Sequence, residues 1–254
     1  GQGIKLVLTI SPLDTNNCRI PRDLRKLALN DPLFIKRYKN MTKWVMEQLP
    51  DVELLCISTG NEVDAYLGQD PERTKQYADF LKQVGDYIHS IKPGIPHGTK
   101  LTFAACNTHL GKAIKTASDV VMLTYYPLTE QFNVKSQVEI NDNLQKMVQF
   151  AGEKPLYILE LGCPSSTDLR SSEQRQNEFF IQVLDFWEGH KQKIKSIELT
   201  WLNDITHQDA NDLAKYYGLH DLRFQQYLST LGLRRENGVS KPALQTITKR
   251  STNF

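Results

Sequence analysis

The sequence predicts one α/β domain of repeated βα units, a (β/α)8 TIM barrel of which six units are evident. Three observations predict it. Short β-rich runs alternate with longer segments of helical periodicity. Most of the short runs are nearly continuous in apolar residues, as parallel strands covered on both faces must be. Two of them lead into a glutamate, Glu62 and Glu160. The C-terminal end of a strand is where a β/α barrel carries its chemistry.

The strand candidates, in order, are Ile4–Ile10, Glu53–Ser58, Lys100–Ala105, Val120–Tyr125, Leu156–Glu160 and Ser196–Trp201. Between them, Phe34, Tyr38, Met41 and Val45 recur at helical spacing and form one apolar stripe. Tyr77, Phe80, Leu81, Val84, Ile88 and Ile91 repeat the pattern, and that helix is predicted to stop before Lys92-Pro93-Gly94. Phe179, Val183, Phe186 and Trp187 form a third stripe, with Ser172 as its N-cap. All three stripes read as core. A polar stretch, Asn203 to Asp212, follows the last strand. Tyr217–Leu233 then leads to a turn-rich connection ending at Lys241-Pro242, and Ala243–Thr248 reads as a short closing helix.

No low-complexity linker or internal repeat divides the chain, so residues 1–254 read as a single domain. Six strands are two short of a closed barrel. Either the first two βα units lie before Gly1, making this an N-terminally incomplete barrel, or the fold closes unusually. A barrel opened by two strands exposes unpaired edges and apolar surface.

Composition narrows the partners. The 31 basic and 29 acidic residues are scattered, and no basic block precedes Lys249-Arg250, so neither nucleic acid nor an anionic membrane is an expected partner. No apolar run is long enough to span a bilayer. Cys18, Cys56, Cys106 and Cys163 are too widely spaced for a disulfide framework or a zinc site, and Cys56 packs as a small hydrophobe inside its strand. The six histidines lack metal-ligand spacing, and no Gly-rich phosphate loop is present. No metal and no cofactor are therefore expected.

Two carboxyl groups facing one cleft make the acid and nucleophile pair that cleaves glycosidic bonds, about 5–5.5 Å apart in a retaining enzyme. One must hold a proton while the other stays ionised, so their environments must differ. The bland reading of either glutamate is a surface carboxylate. Cys163, close to Glu160, has no histidine nearby in sequence to activate it as a nucleophile.

Gly60-Asn61-Glu62-Val63, Tyr125-Tyr126-Pro127 and Glu160-Leu161-Gly162-Cys163-Pro164-Ser165 together resemble the motifs of a clan A glycoside hydrolase. That clan has an Asn-Glu pair after its fourth barrel strand and a nucleophilic Glu ending its seventh. The interval of 160 − 62 = 98 residues accommodates three βα units. Thr124-Tyr125-Tyr126-Pro127 is similar to the sixth-strand motif of endo-β-1,4-galactanases. Gly60-Asn61-Glu62-Val63 and Gly162-Cys163-Pro164-Ser165 resemble those of plant-type β-1,3-glucanases, and Leu231-Gly232-Leu233 through Lys241-Pro242-Ala243 resembles the segment after the eighth strand.

The resemblance implies a retaining hydrolase of a β-linked polysaccharide or oligosaccharide, with Glu62 as acid/base and Glu160 as nucleophile. It favours a secreted or periplasmic setting. Asn61 would meet the sugar 2-hydroxyl, Tyr126 would donate to Glu160, Trp201 would stack on the sugar, and Asn107 with His109 would line subsites at the mouth. The plain alternatives are a turn asparagine, a core tyrosine and a tryptophan packed under a loop. The clan's supporting arginine sits on a second strand that this chain does not supply. A catalytically inactive carbohydrate-binding barrel, or a barrel enzyme of another chemistry, fits the same mouth carboxylates.

Overall fold

Strand β1 (Leu6–Thr9) opens the described part of the chain, residues 3–251 of a computed structural model. A two-residue antiparallel hairpin follows, β2 (Leu13–Asp14) with β3 (Asn17–Cys18). Helix α1 (Pro32–Glu47) starts where the Asp31 side chain accepts from Leu33 N at 2.8 Å, with proline in the first turn, where its missing N–H costs nothing. Strand β4 (Leu54–Ser58) leads through Thr59-Gly60-Asn61-Glu62 into the short α2 (Val63–Leu67) and the long α3 (Pro71–Ile91). Next come β5 (His97–Gly98), β6 (Lys100–Thr102), a 3-10 helix (Phe103–Asn107), α4 (His109–Ala117) and β7 (Val121–Tyr125). The remainder is α5 (Gln137–Ala151), β8 (Leu156–Leu161), a 3-10 turn (Thr167–Leu169), α6 (Glu173–Gly189), β9 (Ile194–Leu199), α7 (His207–Tyr217), α8 (Leu222–Ser229) and α9 (Pro242–Ser251).

The main strands follow one another in chain order. One sheet runs β1-β4-β5 and a second β6-β7-β8-β9. The β1–β4, β4–β5 and β6–β7 pairings are parallel. Thr99 separates the part that pairs with β4 from the part that pairs with β7, so His97–Thr102 serves both sheets. Parallel neighbours joined by helical crossovers are the α/β pattern expected. At the end of its sheet, β1 has β4 as its one sheet neighbour among the described residues. Its Leu6 is 48% exposed, and an apolar cleft of about 550 Å³ lined by Leu8, Ile10, Phe34, Tyr38, Met41 and Val45 borders it. An exposed strand edge of this kind leaves backbone groups open to pairing.

Two compact units share the chain: Gly1–Thr124 with Phe150–Tyr157, and Tyr125–Gln149 with Ile158–Phe254. In the first, Tyr77, Phe80, Leu81, Val84 and Ile88 of α3 are fully buried, and Phe80 meets Phe34 and Tyr38 at ring distances of 5.0 Å. In the second, Leu169, Ala210, Ala214, Phe224, Tyr227, Leu228 and Leu231 form a core against which Tyr126 and Trp201 pack. The three stripes read from the sequence are largely these buried faces, although Met41 and Ile91 stay exposed. Ser172 caps α6 by accepting from Arg175 N at 3.0 Å.

Several boundaries shift by one to three residues, the strand predicted over Ile4–Ile10 being Leu6–Thr9 and the helix predicted over Ala243–Thr248 being Pro242–Ser251, and three further differences from the sequence reading have a local cause. The strand predicted over Lys100–Ala105 ends at Thr102, because Asp64 takes both the Thr102 N–H and its hydroxyl and the chain turns into a 3-10 helix. The strand predicted as Ser196–Trp201 is Ile194–Leu199, which leaves Trp201 in the following loop with a positive φ of 64°. The polar stretch Asn203–Asp212 contains the start of α7, whose buried stripe is only Ala210 and Ala214 and carries a weak hydrophobic signal. Its N-cap Thr206 was the available cue: Thr206 Oγ1 accepts from Asp209 N at 3.0 Å and donates to Asp209 Oδ2 at 2.8 Å.

Candidate active site

Glu62 stands beyond the C-terminal end of β4, at the N-cap of α2, with left-handed backbone at φ 45°, ψ 44°. Few non-glycine residues adopt that region. A buried polar scaffold fixes the turn that brings it there. Thr59 O accepts from Thr99 Oγ1 at 2.7 Å and from the Tyr77 hydroxyl, and Thr59 Oγ1 lies 2.8 Å from His97 Nε2. Gly60 has φ 112°, and a Cβ there would fall 2.5 Å from Val63 and 2.6 Å from Tyr77 OH, so only glycine fits.

The β2–β3 hairpin closes over this turn. Asn61 N donates to Leu13 O at 3.0 Å, and Thr15 N to Asn61 O at 2.8 Å. Thr15, itself at φ 52°, donates through Oγ1 to Glu62 Oε2 at 3.0 Å, and Thr124 Oγ1 donates to Glu62 Oε1 at 2.6 Å. Asn61 Nδ2 donates to Asp14 Oδ1 at 3.1 Å, while Arg19 holds Asp14 Oδ2 through Nε at 3.0 Å and a second nitrogen at 2.9 Å. The Oδ1 of Asn61 is buried without a hydrogen-bond partner.

Glu160 occupies the penultimate position of β8 and is half-buried. Tyr126 OH donates to Glu160 Oε2 at 3.0 Å and lies 3.0 Å from Thr200 Oγ1. The Tyr126 ring is fixed edge-on against Tyr227 at 5.3 Å. Gly162 leaves room for it, since a Cβ there would sit 2.9 Å from Leu231 and 3.3 Å from Tyr126. Trp201 is half-buried against the core around Tyr227 and Leu231. Burial pushes the Cys163 thiol up to about 12, so it holds no nucleophilic thiolate near neutral pH.

The candidate residues thus fall into separate clusters. Glu62 and Asn61 share the Thr15, Thr124 and Asp14 environment, and Glu160 shares that of Tyr126 and Thr200. Asn107 ends the 3-10 helix, exposed, in a cavity of about 490 Å³ whose lining includes Asp64 and His109 but not Glu62. Burial raises the Asp64 carboxyl above the usual range, against the hydrogen bonds from Thr102. Thr15, Asp14 and Arg19 were missed. Their cue was the turn-forming Asp14-Thr15-Asn16-Asn17 run, which marks a tight hairpin but not its target.

Among the described residues no group of three or more His, Cys, Asp or Glu side chains is arranged to hold a metal ion. No described helix is long and apolar enough to cross a membrane.

The chain has the fold of β/α-barrel glycoside hydrolases. It superposes on a GH5_18 protein from Streptomyces cattleya in complex with GlcNAc with a TM-score of 0.74 at 17% identity, covering 98% of this chain and 62% of that one. A GH53 catalytic domain from Ignisphaera aggregans gives a TM-score of 0.65 at 16% identity over 96% of this chain and 73% of that one. A thermostable mutant of a xylanase from Cellvibrio japonicus gives 0.63 at 12%, over 97% and 78%. The chain therefore spans about three fifths of the length of the S. cattleya GH5_18 protein. No family model and no curated protein matches the sequence.

Proposed function

We propose that this chain is a retaining glycoside hydrolase acting on a β-linked oligosaccharide or polysaccharide, with Glu62 as acid/base and Glu160 as nucleophile. The observation that supports the reading is that each carboxylate is held by hydroxyl donors: Thr15 and Thr124 donate to Glu62, and Tyr126 donates to Glu160. Hydroxyl partners suit a group that must gain and lose a proton, because a hydroxyl both donates to a carboxylate and accepts from a carboxylic acid. Glu62 has two of them.

The remaining assignments follow. Asn61 commits an amide N–H to Asp14 and its Oδ1 is buried, so its contact with the sugar 2-hydroxyl rests on the resemblance of Gly60-Asn61-Glu62 to the clan motif. Trp201 offers a half-buried ring for stacking on the sugar, and Asn107 with His109 would line a more distant subsite. The GlcNAc and Manβ1-4GlcNAc in the GH5_18 structures support a carbohydrate ligand here. Residues 1–254 act in this proposal as one domain, since the chain passes three times between its units.

The test is Glu160→Ala assayed with β-glucan, galactan and mannan oligosaccharides and aryl β-glycosides. Turnover should be lost, and azide should restore it by entering the vacated face and giving a glycosyl azide of inverted configuration. Unchanged hydrolysis in the variant removes the nucleophile assignment. A parent chain that binds these sugars without turning them over is instead a carbohydrate-binding barrel.

A further inference from the structure

One buried cation in the Tyr125–Gln149/Ile158–Phe254 unit has no task in the chemistry above. Lys241 is 1% exposed. Its Nζ donates to Asp204 Oδ1 at 2.7 Å, Ser165 Oγ at 2.9 Å and Thr230 O at 3.2 Å. An ammonium carries three N–H donors, and three acceptors from three separate segments take them. Burial lowers the proton affinity of Lys241 and raises that of Asp204, and the hydrogen bond between them opposes both shifts.

Two of those acceptors end segments that begin at candidate site residues. Ser165 closes the turn Glu160-Leu161-Gly162-Cys163-Pro164-Ser165, and Asp204 closes the loop Trp201-Leu202-Asn203-Asp204. Both are laced onto the Thr230–Lys241 segment. Ser165 donates to Thr230 O through N at 3.0 Å and through Oγ at 3.1 Å. Leu233 N reaches Trp201 O at 3.3 Å, Arg234 N reaches Leu202 O at 2.8 Å, and Asp204 N reaches Arg234 O at 2.8 Å. Gly232 N donates to Asp204 Oδ1 at 2.9 Å, and a Cβ on Gly232 would fall 2.1 Å from Asp204 N, so the approach needs glycine. Trp201 at φ 64° holds a conformation that persists only where its surroundings over-determine it.

We propose that Lys241 is a positioning residue, whose ammonium clamps the turn after Glu160 and the loop bearing Trp201 onto the Thr230–Lys241 segment. An apolar side chain would fill the same volume with less desolvation. Only a three-donor head fixes three segments in direction. The clamp itself stands on the contacts above, and its consequence for turnover rests on the glycosidase reading.

The test uses the full chain with Trp44→Phe and Trp187→Phe, which leaves Trp201 as the single tryptophan of the three. In that background Lys241→Met is combined with Asp204→Asn, so that no unpaired buried charge remains. The expected result is a folded protein whose Trp201 acrylamide-quenching constant rises about twofold as the loop loosens. Its kcat should fall about tenfold or more with KM changed far less, as expected for misplaced catalytic groups. A folded double variant with parental quenching and parental kcat overturns the proposal.

Should that variant not fold, Ser165→Ala removes one tie without exposing a charge. A rise in quenching supports the clamp there, and parental quenching overturns it. The fluorescence arm separates the two readings. An inactive parent in which quenching still responds refutes the hydrolase and keeps the clamp, whereas an active parent with unresponsive quenching refutes the clamp alone.

Discussion

Tyr126→Phe tests the nucleophile assignment through the step in which charge returns to Glu160. Tyr126 OH donates to Glu160 Oε2 at 3.0 Å. In the first half of a retaining reaction the carboxylate loses its charge to a covalent glycosyl ester, and in the second half it recovers that charge as water displaces the sugar. A hydrogen bond to the ionised form therefore works against the first step and for the second. Such a bond to a charged group contributes about 1.5–3 kcal/mol. At about 1.4 kcal/mol per tenfold, its loss slows release of the glycosyl-enzyme by up to about 10–150-fold.

An aryl β-glycoside with a good leaving group makes the first step fast, so the variant should accumulate the covalent intermediate. Stopped-flow should show a burst of released phenol close to the enzyme concentration, followed by a slow steady state. Both kcat and KM should fall, with kcat/KM maintained or raised, because that ratio reports only the first irreversible step, which the lost bond had opposed. The ring stays packed on Tyr227 at 5.3 Å, so a stability loss of about 1 kcal/mol should move the melting midpoint by only about 2–4 °C. Equal losses in kcat and kcat/KM with no burst would refute this reasoning.

Two further outcomes concern Glu62 and the scaffold histidine beneath its turn. Glu62→Gln should slow substrates with poor leaving groups at least about tenfold more than activated aryl glycosides, because only the former need a proton from the enzyme; steady-state rates across a leaving-group series check this, and parallel losses count against the acid role. His97 is 1% exposed, and burial holds its imidazole down to about 4 from 6.5. The unfolded chain binds that proton first, so the stabilising contribution is complete above pH 6.5 and is lost as pH falls toward 4, by about 3 kcal/mol in total. Urea midpoints should decline across that window in the parent and much less in His97→Gln, and a flat parental profile would remove His97 as the cause.

Much of this was legible in the residues themselves. The continuous apolar runs around Ile57, Leu123 and Ile158 mark strands buried on both faces, and all three are fully or almost fully buried. The Tyr126 contact to Glu160 was also within reach, because a tyrosine at a strand end beside a carboxylate has few other uses for its hydroxyl. What stayed hidden depended on backbone geometry and on long-range closure. Thr15 reaches Glu62 across 47 residues through a two-residue hairpin, and no periodicity reports that. The break after Thr102 follows from Asp64, whose side chain competes for the N–H and hydroxyl of a residue 38 positions away. Helix α7 escaped because alanine, not leucine, lines its buried face.

Backbone strain adds an argument that sequence does not contain. Five non-glycine residues with positive φ are described, and three of them are Glu62, Thr15, which holds Glu62, and Trp201. A threonine or tryptophan in that region costs on the order of 1–3 kcal/mol, a cost that folding alone would remove by drift to glycine or asparagine. Each strained residue is instead pinned from outside its own turn. Thr15 N donates to Asn61 O, Thr15 Oγ1 and Thr124 Oγ1 donate to the Glu62 carboxylate, and Leu233 N donates to Trp201 O. Strain concentrated on residues that aim side chains, and held by contacts from distant segments, fits a pre-organised site better than a barrel kept only for its stability.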